Sequence, residues 1–341
     1  MDNNENNDIL ERPLIFMGES MLKYVFFMCL GALMMSVPGK AVADNGISQL
    51  MPKASRALFL DIAKVGNRFI AVGERGYVIY SDDDASSWHQ VQVPTRAMLT
   101  ALFFIDDQVG WAVGHDSVIL RSEDGGLHWE KVHVDEKQGD PLFDILFFDR
   151  QNGIAVGSYG LLLVSSDGGK SWIKGSINEE VDMHLNQLAI DSSGRCFIAG
   201  EAGSIYRSDD RGVSWTTLNS PYNGSFFGVL PLELDTLLIY GMLGHLYRSE
   251  DAGKTWKGIN TGTRATLTGA SRLPDETLLI TGLNGVLLLS KDGGKSVTVH
   301  QYPRRIGFCG LVPLTDRSFL VCGAGGCTEF SKDDVIKLPK E

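Results

Sequence analysis

The octapeptide Ser165-Ser166-Asp167-Gly168-Gly169-Lys170-Ser171-Trp172 sets a carboxylate among hydroxyls and glycines, a grouping that could chelate a cation or supply an acid. It recurs. The order serine, aspartate, glycine, aromatic returns at Ser122/Asp124/Gly126/Trp129, Ser208/Asp210/Gly212/Trp215 and Ser249/Asp251/Gly253/Trp256. Weaker copies are Ser81/Asp83/Trp88 with Ala85 for glycine, Ser290/Asp292/Gly294 with Val297 for tryptophan, and Ser331/Asp333. A calcium loop of the helix-loop-helix kind needs about six oxygens in about twelve residues ending in glutamate, and no copy has that, not even Ser81 to Asp84. A structural duty fits better. Hydroxyl and carboxylate oxygens accept amide hydrogens one or two residues on, glycine takes positive φ, and tryptophan plugs the neighbouring turn. Asp83, Asp124, Asp167, Asp210, Asp251, Asp292 and Asp333 are therefore expected to be hairpin clasps.

These aspartates stand 41, 43, 43, 41, 41 and 41 residues apart, so seven units carry them. Eight residues before each serine stands a glycine, from Gly73 to Gly323, ending an apolar run such as Ile154-Ala155-Val156. Each unit reads apolar run, turn, apolar run, Gly-x-x-Gly turn, apolar run, Ser-x-Asp-x-Gly turn, short alternating run, which is four strands. A period of roughly 40–45 residues with four strands is a β-propeller blade. The expected fold is all-β, a seven-bladed propeller of four-stranded antiparallel blades over residues 57–341, preceded by a lead-in at 44–56.

On these residues the chain resembles a known family. The octapeptides resemble the Asp box of bacterial neuraminidase repeats, and the longer unit from Ile154 to Trp172 is similar to the photosystem II stability/assembly factor family. That resemblance covers roughly residues 57–333 and implies a non-enzymatic propeller that helps assemble membrane protein complexes, with relatives in bacteria that do not photosynthesise. Blades one, six and seven depart from the pattern.

Other residues with chemical reach sit on the expected inner strands. Asp61, Asp144 and Asp191 could serve a sialidase-like glycoside hydrolase or a carbohydrate-binding propeller, but Arg272 is the one arginine there, where a carboxylated sugar would need a cluster. No catalytic set is assembled from them. Cys322 and Cys327 flank the blade-seven turn and would face one another on adjacent strands, close enough for a disulfide. No zinc spacing occurs, so no metal and no cofactor are expected, and the histidines read as surface or turn residues. Trp111, outside any box, aligns with Ile70, Ile154 and Phe197 and reads as core.

Residues 1–20 are polar and acidic, and read as an upstream extension ahead of a start at Met21 or Met17. Lys23, the apolar run from Tyr24 to Val37 and Ala41-Val42-Ala43 make a signal peptide over 21–43, so the protein is expected in the periplasm, with an uncleaved membrane anchor as the alternative. Whole, the chain carries 42 acidic and 31 basic residues. Beyond Ala43, 37 acidic and 28 basic residues give −9. That argues against nucleic acid, and gives no general attraction to anionic lipid or direct insertion of the mature chain.

The expected function is a non-catalytic periplasmic protein-binding or assembly factor, monomeric on its own, serving a membrane protein complex or exporter. The Asp-box turns and the blade-to-blade links leave a blade on opposite faces. The links vary in length and charge, and recognition belongs on variable loops over a rigid frame. Arg304 and Arg305, a donor pair for carboxylate or phosphate, and Tyr302, an apolar contact, are the expected partner-binding residues. For ring closure, Val335 to Leu338 is expected as the outer strand of blade seven, with Ile47 to Leu50 clasping that blade as the alternative.

Overall fold

The computed structural model describes residues 46–339 except 136, 179, 180 and 316. The expected upstream extension and signal peptide lie outside the described residues, as do the link residues Glu136, Glu179 and Glu180. Blade one sets the pattern with strands Phe59–Val65, Arg68–Gly73, Val78–Ser81 and His89–Val91, each antiparallel to the next. Seven such sheets form among the described residues, six with four strands and the seventh with three. The seven-bladed propeller is thus the observed fold.

The core lies between blades. Seven buried clusters each join two neighbouring blades, such as Val72 and Val78 with Leu99 and Ala112, or Leu146 and Val156 with Leu188 and Ile198. In a strand successive side chains alternate faces. Phe69 and Ala71 accordingly meet blade seven while Ile70 and Val72 meet blade two, which is why second strands are apolar throughout.

Every inner strand carries a bulge at its start, visible as a register shift between Phe59 and Asp61 and at the same place in the other six. The extra residue is left unpaired and the strand bends. Opposite each bulge stands the glycine that ends the second strand. At Gly73 a Cβ would lie 2.0 Å from the Leu58 carbonyl oxygen, so the requirement there is close backbone approach, not positive φ.

Ring closure differs from both expectations. Residues 332–337 form a helix, Lys332–Lys337, where a fourth strand was expected. Ser331 caps it, accepting from the Asp334 amide while the Asp334 carboxylate accepts from Ser331. With Asp333 and Asp334 in a first turn, the helix dipole and this reciprocal cap favour helix over hairpin. Ile47 to Leu50 does not reach blade seven either. Ser48 exchanges hydrogen bonds with Val93, beyond the outer strand of blade one. Among the described residues no strand crosses the seam, which is sealed by packing of Phe59, Phe69 and Ile79 against Leu320 and Cys322. Gly310 brings its Cα so near blade one that a Cβ would sit 2.9 Å from the Asp61 Cα.

Candidate functional site

The start of each inner strand, the turn between second and third strands and the inter-blade link share one face, because Phe59 pairs with Gly73. The Asp boxes occupy the other. At the link face the central channel forms a cavity of about 190 Å³ walled by inner strands of all seven blades. The bulges aim inner-strand residues of every blade into it, from Leu60 and Asp61 to Cys309 and Gly310.

Its polar side chains reach for the next blade. Asp61 Oδ2 accepts the Leu102 amide at 2.9 Å, Asp144 Oδ2 the Leu188 amide at 2.7 Å, and Gln187 Oε1 the Val229 amide at 2.8 Å. Thr100, Asn186 and Thr268 donate to the carbonyls of Leu142, Phe226 and Phe308. Blade five has Gly228 at the stitching position. There Tyr240, from the second strand, brings its hydroxyl through the space a Cβ would fill, 2.1 Å away, and meets the Ala270 amide. Burial pushes the Asp61 carboxyl up to about 6 and the Asp144 carboxyl up to about 7, against the lowering effect of the amides they accept. Beside them, burial pushes the Cys309 thiol up to about 12.

Around the channel mouth charge is unevenly spread, although Glu74 stands beside Arg75 and Lys137 beside Asp135. Arg56 and Arg75 belong to blade one, Arg96 to the link after it, and Arg264, Arg304 and Arg305 to the links on either side of blade six. Asp116, Asp135, Asp140 and Asp182 gather over blades two to four. Blades three to five are aromatic on this face. The His184 ring meets Tyr159 at 5.0 Å and Phe143 at 5.6 Å, and Tyr222 lies 4.0 Å from His245. His184 is buried, its Nδ1 accepting from the Tyr159 amide while its own amide donates to Glu201. With His300 also buried, two histidines are not the surface or turn residues the sequence suggested.

Arg304 and Arg305 are exposed at the link between blades six and seven. Tyr302 is not beside them as a free contact. Its ring lies 5.8 Å from Phe308 and 5.2 Å from Phe330, inside the cluster joining blades six and seven. Cys322 and Cys327 are register partners joined by a disulfide, their Cα atoms 4.0 Å apart. Asp191 lies just past its inner strand and Arg272 at the end of its own, away from the cavity. The Asp191 carboxyl is raised by burial but lowered more by Ser193 and Arg195, and Arg272 pairs with Glu233 at 2.8 Å and with Glu276.

Six of the seven expected clasps share one geometry. In blade three, Ser165 Oγ donates to Asp167 Oδ1 at 2.9 Å and accepts the Gly169 amide at 2.9 Å. Asp167 in turn accepts the Ser171 amide at 3.0 Å and the Ser171 hydroxyl at 2.6 Å. The key amides are four residues on, a longer reach than the one or two expected. Asp83, Asp124, Asp210, Asp251 and Asp292 repeat this, with His128 in place of the last hydroxyl in blade two. The hydroxyl four residues on is the chief reason that Asp83, Asp167, Asp210 and Asp292 are held down to about 2. Asp333 is the exception. It lies in the first turn of the C-terminal helix, where Asp334 partners Ser331.

Two contributors escaped the sequence reading. One is the hydroxyl four residues after the box aspartate, Ser87, Ser171, Ser214, Thr255 or Ser296. The other is the arginine before the box serine: Arg121 and Arg248 each donate at 2.8 Å to the box carbonyl of the following blade, Gly168 and Gly293. Both recur at fixed offsets. Trp111 is core as expected, fully buried and stacked 3.5 Å from Phe147, with Gly169 of the next box lying against its Nε1.

The family described as photosynthesis system II assembly factor YCF48 matches residues 80–141 and 131–277, more than half of the chain. A photosystem II assembly protein Ycf48 from Synechococcus sp. (strain JA-3-3Ab) is 44% identical over 45 residues, a stretch covering 13% of this chain and 14% of that protein. The match therefore spans about a seventh of the curated relative's length. A solved structure of YCF48 bound to D1 peptide superposes with a TM-score of 0.66 at 18% identity, covering 87% of this chain and 99% of that one. YCF48 from Cyanidioschyzon merolae gives 0.67 at 17% identity, covering 84% and 99%. These likenesses establish the shared propeller fold, and with the repeat pattern matched across blades one to six the chain belongs to the photosystem II assembly factor YCF48 family.

Proposed function

We propose that this protein is a non-catalytic assembly factor, exported to the periplasm after cleavage behind Ala43, whose link face holds a segment of a membrane protein complex or exporter. The observation that carries this reading is the state of the channel. Asp61 and Asp144 each accept amides with both oxygens, one from their own strand and one from the next blade, and the neighbouring polar side chains are likewise committed to backbone. Carboxyls so engaged hold blades together. A glycosidase pair needs carboxyl groups free to face a sugar and a water. The variable chemistry lies around the channel mouth, and one relative of the same fold is solved with a peptide bound.

The test is co-purification from crosslinked cells. Changing Arg304 and Arg305 to glutamate is expected to weaken recovery of the envelope complex at unchanged thermal stability, and changing Lys170 and Lys254 on the Asp-box face is not. The recovered protein is expected to begin at Asp44. Loss of the complex only in the lysine variant, or full recovery in both, overturns the assignment of the working face.

A further inference from the structure

We propose that the sector of the link face over blades three to five docks an extended segment of a partner protein in which an apolar side chain stands next to a lysine or arginine. The proposal rests on the assembly reading and gives the chemistry of a binding surface separate from Arg304 and Arg305.

The middle residue of the turn between second and third strands has positive φ, and in six blades it is not glycine: Arg75 57°, Asp116 59°, Tyr159 51°, Ala202 51°, Leu243 54° and Asn284 58°. Asparagine and aspartate tolerate that region, whereas a bulky side chain costs roughly 1–2 kcal/mol there. Nothing in the turn requires bulk, since Ala202 makes it equally well. Yet tyrosine and leucine occupy it in blades three and five, with 54% and 43% of their surface exposed. Exposed bulky residues take positive φ on the Asp-box face too, at Arg211 59° and Leu234 52°, so the strain at Tyr159 and Leu243 points to function only together with the apolar area and charge beside them.

What surrounds these side chains specifies the occupant. Met183, 38% exposed, follows Asp182 and precedes His184, whose ring buttresses Tyr159 at 5.0 Å with the planes 84° apart. A ring fixed in this way offers apolar area with little rotamer freedom left to lose on binding. Asp182 adjoins Met183, whose carbonyl accepts the Gly160 amide, and Asp140 precedes Pro141, whose carbonyl accepts the Ser158 amide, so two carboxylates flank the Tyr159 turn, with Asp116 on the turn of blade two and Arg264 in the link against the Leu243 turn. A cation beside the apolar anchor is favoured here and an anion is repelled. Tyr159 and Leu243 stand two blades apart, and an extended segment reaches both with the fewest residues.

The experiment uses the full mature chain and a short fluorescein-labelled peptide alternating leucine and tyrosine with lysine, read by anisotropy beside its glutamate-for-lysine counterpart. Saturable binding of the lysine peptide is expected, about tenfold weaker or more for Tyr159→Ser/Leu243→Ser and for Asp116→Asn/Asp182→Asn, with no binding of the glutamate peptide. Unchanged affinity in either double variant, or equal binding of the glutamate peptide, overturns the proposal. If the first double variant fails to fold, Tyr159→Asn replaces it with the same criteria. Because the cellular complex is scored separately, complex retained by the arginine variant sinks the assembly reading's surface, and absent peptide binding sinks this one alone.

Discussion

On the Asp-box face, six units repeat one clasp, with Ser81, Asp83 and Ser87 in blade one making the bonds that Ser290, Asp292 and Ser296 make in blade six, and His128 standing in for the last hydroxyl in blade two. On the link face the corresponding turn position holds arginine, aspartate, tyrosine, alanine, leucine and asparagine at nearly one φ value. At these two turns the backbone geometry is therefore equally regular, and the side-chain chemistry differs. Regular backbone with uniform side chains is what a frame requires. Regular backbone with divergent side chains, two of them held against a conformational cost, is what selective recognition requires. The carboxylates sharpen the contrast. Asp167 and Asp292 of the boxes are held down to about 2 because hydroxyls and amides converge on them, whereas the two carboxyls in the channel are driven up by burial.

The largest effect is expected on the frame. Ser165 is buried, and its hydroxyl joins Asp167 to the Gly169 amide. Ser165→Ala leaves that amide without an acceptor and is expected to cost about 1–3 kcal/mol, lowering the melting temperature by roughly 2–4 °C per kcal/mol. Asp167→Ala is expected to lower it also, and partner capture should persist wherever the fold does. Differential scanning fluorimetry beside co-purification checks this. A variant that keeps its melting temperature and loses the partner would assign the box face a binding role and erase the contrast.

Stability against pH separates the two kinds of carboxylate. Asp61 and Asp144 have folded-state values above their ordinary one near 3.8, so their contribution is full below about pH 4 and is lost as pH rises through 6 and 7. Asp167 and Asp292 are depressed, so theirs is present above about pH 4 and lost as pH falls toward 2. The melting temperature is expected to peak on the acid side of neutrality and decline by a few degrees towards pH 8. Asp144→Asn should flatten that decline. A wild-type profile that rises from pH 5 to 8 would place the channel carboxyls in water instead.

The blade count and the clasps are legible in the sequence because a hairpin tip is a local event. Serine, aspartate and glycine needed for it lie within a few residues, and seven repetitions lift the pattern above chance. The channel stitches are not legible. Asp61 acts on Leu102 and Asp144 on Leu188, one unit away, and the position alternates among aspartate, alanine, glutamine and glycine. Tyr240 replaces a missing stitch from a different strand, a substitution visible only once Gly228 is placed against it. Blade seven misleads because Ser331-Lys332-Asp333-Asp334 opens like a box, yet the place of the required glycine holds Val335, the buried residue of the helix. A serine followed by two acidic residues and no glycine is a helix cap, and local chemistry decides the outcome there as well. Tyr302 misleads for a different reason: its position in a charged link says nothing of the Phe308 and Phe330 rings that enclose it.

The smallest effect on stability is expected at Tyr159, where the contrast between faces is most exposed to test. Asn284 shows that the turn accepts asparagine at φ 58°, against 51° for Tyr159. Tyr159→Asn relieves part of the roughly 1–2 kcal/mol that a bulky residue costs in this region, and forfeits a ring whose surface is 54% exposed and whose main neighbour is the edge of His184. The two changes oppose one another and are of similar size, so the melting temperature is expected to hold or rise slightly. Binding is expected to move the other way, because the apolar anchor is gone while the neighbouring carboxylates remain. A rise in stability paired with weaker binding is the signature of a residue kept for function. A fall of more than about 2 kcal/mol would instead make Tyr159 part of the packed core, as truncation of a buried aromatic does. The link face over blades three to five would then be a frame like its counterpart, and the partner surface would lie in the arginine sector.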